Sequence, residues 1–126
     1  MLIKKGTKLY SIVNLKCPRC HEGYLFSVPS AYNFKKMLDM PDRCPVCKQD
    51  FVIEPGFYSG ALWMSYPIVI AIILLLGLLL LVLLEVSMTV FILVVFAVLS
   101  ILQPLIMRYG RAVWINMFVS YDPPKK

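Results

Sequence analysis

The sequence predicts a membrane protein in two parts: a small cysteine-clamped ribbon with short β segments, then a two-helix transmembrane hairpin ending in a short amphiphilic C-terminal segment. Three observations predict it. Two Cys-x-x-Cys pairs, Cys17/Cys20 and Cys44/Cys47, lie in the first half of the chain with 23 residues between them. From Tyr58 to Met107 the chain is almost wholly apolar, with Glu85 as its only charge. All thirteen Lys and Arg residues fall outside that stretch.

Sixty per cent of the 126 residues are hydrophobic, against ~45–50% in soluble domains, and the mean hydropathy is +0.75. The excess sits in the apolar stretch and leaves residues 1–57 as the water-facing unit. A unit that small buries too little apolar surface to hold together without a disulfide, a metal or a partner. Met1 to Ile3 is too short for the apolar core of a secretory signal, and Lys4 and Lys5 follow at once, so this half is expected to stay unexported.

The cysteines offer the staple. "CPRCH", Cys17 to His21, read alone is the attachment signature of c-type haem. That reading leaves Cys44 and Cys47 unexplained, and it needs an extracytoplasmic site. Two Cys-Pro-x-Cys knuckles fit a different chemistry: each tight turn aims two sulfurs at one centre, proline presets the φ angle it needs, and two turns complete a tetrahedral four-thiolate shell for zinc. The predicted ligands are Cys17, Cys20, Cys44 and Cys47. His21 and Lys48 follow the second cysteine of each pair, where a small residue is common, and His21 is expected to be an exposed bystander. Redox catalysis by the dithiols, or metal delivery, is the alternative. Structural zinc is preferred because redox Cys-x-x-Cys motifs open a helix within a larger sheet, which nothing here supplies.

Around the knuckles, "GYLFSV" and "DFVIE" read as the β segments, with a helical turn "SAYNFKKMLDM" between them, capped by Ser30. Phe34, Met37 and Leu38 share one face of that turn and are expected to cover the ribbon, with contact to membrane or a partner helix as the other reading.

Crossing the hydrocarbon takes ~20 apolar residues. Residues 58–84 and 87–107 each suffice, and the turn near Glu85 joins them. Gln103-Pro104 is expected to kink the apolar span or end it. Nine basic residues precede the hairpin and four follow it, so the positive-inside bias places both termini in the cytoplasm. Tyr58, Trp63 and Tyr66, with Tyr109 and Trp114, resemble the aromatic belt of one interface. In the 108–126 tail, Val113, Trp114, Met117, Phe118 and Tyr121 fall near one stripe. They imply a short helix that either lies in the headgroups or packs on the ribbon.

Residues 1–57 carry nine basic and five acidic side chains, and a four-thiolate zinc centre removes half of the surplus. Lysines beside a membrane are already explained by topology and anionic lipid, so nucleic acid is not the expected partner. One histidine, no Gly-rich phosphate loop and singly scattered carboxylates supply no nucleophile with a base and no carboxylate pair. Neither an enzyme nor a small-molecule substrate is expected.

"CPRCHEGYLF", "CPVCKQDFVIEPGFYSGALWMSY" and "QPLIMRYGRAVWINMFVSYDP" resemble a family of small bacterial membrane proteins catalogued as a domain of unknown function, DUF983, particularly its Bacteroidota-like branch. The likeness runs from about Lys16 to Pro123. Family members usually carry glycine after each second cysteine, from which His21 and Lys48 depart. The resemblance implies an N-terminal zinc ribbon on two inner-membrane helices. Some members are encoded among terminal-oxidase genes, which implies an accessory or assembly role at a larger respiratory complex. The partner-contact candidates are Glu54, Pro55, Gly56, Phe57, Gly60 and Tyr66. Gly56 and Gly60 could admit another backbone, or could serve only the turn and the hairpin's own packing.

Overall fold

The computed structural model describes residues 3–123 and 125. Its elements are α1 (Lys8–Asn14), α2 (Ser59–Gly77) continued by the π-helical segment Leu78–Leu83, and α3 (Met88–Phe118).

Helix α1 has no announcement in the hydrophobic pattern, because seven residues are fewer than the window that periodicity needs. Its ends are nonetheless defined. The Thr7 hydroxyl accepts the Tyr10 N–H at 3.3 Å and donates to the Lys4 carbonyl at 2.9 Å, an N-cap of the usual kind. Leu15 ends the helix in the left-handed region at φ 51°.

The two long helices form the expected hairpin. Ser59–Leu83 and Met88–Phe118 are 25 and 31 residues long and apolar enough to cross a membrane. The most apolar part of the first is nowhere buried in the protein, unlike the core helix of a soluble domain. Leu74, Leu75, Leu83, Leu93 and Phe96 are all exposed. Glu85 sits in the turn at φ 49° with its carboxylate exposed. At the other end of the hairpin the helices approach closely: a Cβ on Gly110 would lie 3.1 Å from the Ala61 carbonyl oxygen, and one on Gly60 would collide with the Trp114 ring.

Helix α3 does not stop at Gln103-Pro104. It runs through Pro104 to Phe118, and its last turns are the spine of the cysteine unit. The buried face is Arg108, Ala112, Ile115 and Asn116, extended by Val119. This is not the stripe expected from the large side chains, because Met117 and Phe118 are exposed. Ala112, Ile115 and Val119 join Cys17, Cys20, Leu25, Phe26, Cys44 and Phe51 in one core. The 108–118 segment therefore packs on the ribbon.

The expected β segments are not formed: among the described residues there are two isolated antiparallel bridges, Lys16↔Tyr24 and Arg43↔Asp50, and no strand. The reason is local. Before the first bridge the chain turns out of α1 at left-handed Leu15. Beyond the second, the Tyr58 hydroxyl takes the Phe51 carbonyl at 2.8 Å, which a longer ladder would need.

The segment between the knuckles is a chain of turns (Lys36 N–H to Asn33 carbonyl, Asp39 N–H to Lys36 carbonyl) and not a helix. Two arginines of α3 fasten it. Arg108 is 1% exposed and donates through Nε, Nη1 and Nη2 to four carbonyls: Met37 at 2.8 Å, Pro29 at 3.2 Å, Val28 at 2.9 Å and Ser30 at 2.8 Å. Arg111 donates to the Leu38 carbonyl at 3.1 Å. Buried charge is tolerated when it is hydrogen-bonded, and here four backbone carbonyls take the Arg108 donors. The expected face is split: Leu38 lines a cavity with Val52 and Phe57, whereas Phe34 and Met37 do not cover the ribbon. Phe34 is exposed, and Phe34 and Met37 line a groove with Phe96, Leu99, Ser100, Gln103 and Pro104 of α3.

Candidate metal centre

Each knuckle is closed by backbone hydrogen bonds that turn its thiols inward. In the first, the Cys17 N–H bonds the Gly23 carbonyl at 2.8 Å and the His21 N–H bonds the Cys17 carbonyl at 3.0 Å. In the second, the Cys44 N–H bonds the Gln49 carbonyl at 2.9 Å and the Lys48 N–H bonds the Cys44 carbonyl at 3.0 Å. The residue after each second cysteine must then reverse the chain, and His21 and Lys48 do so at φ 59° and 60°. That left-handed conformation is why glycine is favoured there.

The four sulfurs converge. All four Sγ atoms lie within 4.8 Å of one another, with Cys17 to Cys47 and Cys20 to Cys44 both at 3.7 Å. A tetrahedral thiolate shell with metal–sulfur bonds of ~2.3 Å has edges of ~3.8 Å. The cysteines are free thiols and are positioned to hold a metal ion. Cys17, Cys20 and Cys44 are buried, while Cys47 is half-buried.

The thiols differ in acidity. Burial pushes Cys17 and Cys47 up. At Cys20 burial opposes ionisation but is outweighed by the backbone N–H groups of Gly23 and Glu22 and by the neighbouring thiols, so its pKa is lowered. A bound cation would stabilise all four thiolates and displace the protons that burial retains.

Gly23 makes the convergence feasible: a Cβ there would collide with the Sγ of Cys44. Nothing in the Cys-x-x-Cys pattern names it. His21 is also placed differently from the expectation. It is 1% exposed, its Nδ1 accepts the Gly6 N–H at 3.1 Å, and its ring lies 5.4 Å from that of Tyr10 and 4.4 Å from that of Tyr121. It is a packing element on the outside of the first knuckle and not a member of the sulfur cluster. Burial lowers its pKa. The C-terminal residues reach the same knuckle, with the Asp122 N–H on the Arg19 carbonyl at 3.1 Å. Asn116 Nδ2 donates to Ser11 Oγ at 3.1 Å, and Ser11 donates to the Lys16 carbonyl at 2.6 Å, so α1, the knuckle and α3 are tied at one point.

The residues singled out for partner contact are divided. The Phe57 carbonyl accepts Trp114 Nε1 at 2.7 Å, and Gly60 is covered by the Trp114 ring. Glu54, Pro55 and Gly56 are exposed, with Gly56 at φ 74° in the turn that enters α2. Tyr66 is exposed on α2.

Residues 34–118 match the family described as Protein of unknown function (DUF983). The chain belongs to this family. The matched region holds Cys44, Cys47 and both long helices and begins after Cys17 and Cys20. No curated protein and no solved structure matches the chain.

Proposed function

We propose that this DUF983 protein is a non-enzymatic accessory or assembly protein of the bacterial inner membrane, with both termini cytoplasmic. In this reading a zinc-closed unit is carried on a helical hairpin that docks on a larger membrane complex. The observation that carries it is the closed sulfur cluster: three of its four cysteines are buried in the core that also holds Ala112, Ile115 and Val119. Structural zinc sites are closed four-ligand shells, whereas catalytic ones keep an open position, and a four-sulfur tetrahedron selects zinc or iron–sulfur chemistry. Helices with apolar side chains exposed all round need lipid or a protein partner to cover them. The resemblance makes a terminal oxidase the first complex to examine.

The test is purification from native membranes in mild detergent, read on a native gel. Co-migration with a larger assembly is expected. Migration as an isolated protein under every extraction condition would overturn the docking role.

A metal-handling or thiol-redox role has one observation in its favour, the half-buried Cys47. It requires zinc that exchanges readily with a chelator; zinc that resists chelation on the scale of hours supports the structural role.

A further inference from the structure

We infer that the segment joining the two knuckles enters the membrane, so that the cysteine unit holds the bilayer by a third contact besides the two long helices. This rests on the membrane-spanning reading of α2 and α3 and adds a lipid-binding loop to it.

The geometry is set by Arg108, the first charge met along α3 when leaving the apolar span. Its guanidinium grips the carbonyls of Val28, Pro29 and Ser30 on one side of the loop and of Met37 on the other. The loop tip between them does not turn back to the ribbon. Phe34 and Met37 line a groove with Phe96, Leu99, Ser100, Gln103 and Pro104. At 1.5 Å per residue those α3 positions lie roughly 6–18 Å before Arg108 along the helix, inside the span. Wherever α3 is in hydrocarbon, Phe34 is at the same depth or at its boundary.

The side chains at the tip suit that position. Phe34 is 76% exposed and Tyr32 49% exposed, a poor arrangement in water but one that lipid would cover. Lys35 and Lys36, both exposed beside Phe34, are long enough to carry their ammonium groups back to the phosphate layer. Their charge is complementary to anionic headgroups. The occupant is therefore lipid: acyl chains against Phe34 and anionic headgroups at Lys35 and Lys36.

The test uses the full-length, metal-loaded protein in vesicles containing a phospholipid with a photoreactive diazirine on its acyl chain, with adducts mapped by mass spectrometry. Adducts on the 31–38 segment are expected beside those on α2 and α3, with none on 43–50. Phe34→Asp should abolish the loop adducts while leaving the helix adducts and the bound metal unchanged. Adducts confined to α2 and α3 in the wild type would overturn the inference and leave the membrane reading standing. Their absence from all three segments would remove the membrane reading itself. A photoreactive phenylalanine at position 34 that captured protein in place of lipid in native membranes would also overturn the inference.

Discussion

The guanidinium carbon of Arg108 lies 4.7 Å from the ring centroid of Phe26, so the cation leaving the apolar span is stacked on an aromatic of the core that holds the cysteines. Its donors fan out to four carbonyls of the loop between the knuckles. Arg108→Lys keeps the charge but loses the planar fork and the stacking. It should cost about 1–3 kcal/mol and speed amide exchange at Ser27, Lys36 and Asp39, whose N–H groups bond within this loop. Exchange unchanged from the wild type would show that the arginine is only a topological charge.

Gly23 and Cys44 make a second test. Gly23→Ala places a methyl group on the Cys44 sulfur and should weaken metal binding about 10–100-fold, as disturbance around a ligand does. Gly56→Ala is the control. Nothing lies near its Cβ, but its φ is 74°, so it should cost about 1 kcal/mol of backbone strain and leave metal affinity alone. Competition against a chromogenic chelator separates the two.

The two left-handed residues of the knuckles should respond in opposite ways to glycine. Lys48 is exposed, and Lys48→Gly should stabilise the protein by about 1 kcal/mol by removing the cost of positive φ. His21→Gly gains the same relief but loses ring contacts to Tyr10 and Tyr121 and the acceptor for the Gly6 N–H. It should be destabilising, with the metal retained. Denaturation midpoints of the two variants read the difference, and loss of metal from His21→Gly would reassign the histidine to the site.

Metal binding should depend on pH in a definite sense. Burial holds Cys17 and Cys47 above their ordinary range, so in the metal-free protein these thiols keep their protons at neutral pH. Uptake of the ion must release protons, and affinity must fall as the pH is lowered. Calorimetric titration in buffers of different ionisation enthalpy should give a heat that scales with that enthalpy. A buffer-independent heat would contradict the thiolate site.

What could be read in the sequence follows from the range of the interactions. The sulfur cluster was legible because each pair of ligands is local and proline marks the turn; the hairpin was legible because an apolar run with one central charge needs no tertiary knowledge. Arg108, Asn116 and His21 were not. Their partners lie 71–80, 105 and 15 residues away, and no spacing rule connects such positions. Arg108 and Arg111 were read only as charges beyond the span; their use in satisfying the loop carbonyls leaves no mark in composition. Gly23 was missed because its requirement comes from the other knuckle. The β segments were over-read, since β-rich composition at "GYLFSV" and "DFVIE" does not reveal that Leu15 and Tyr58 interrupt the ladders.

The most direct measurement is X-ray absorption at the zinc edge on the purified protein, together with its metal content and that of Cys44→Ser. The proposed structural-zinc centre requires one zinc per chain, four sulfur neighbours at about 2.3 Å, and loss of the metal in the variant. Substoichiometric zinc, iron or copper in its place, or a nitrogen ligand in the shell would contradict a closed structural centre built from Cys17, Cys20, Cys44 and Cys47.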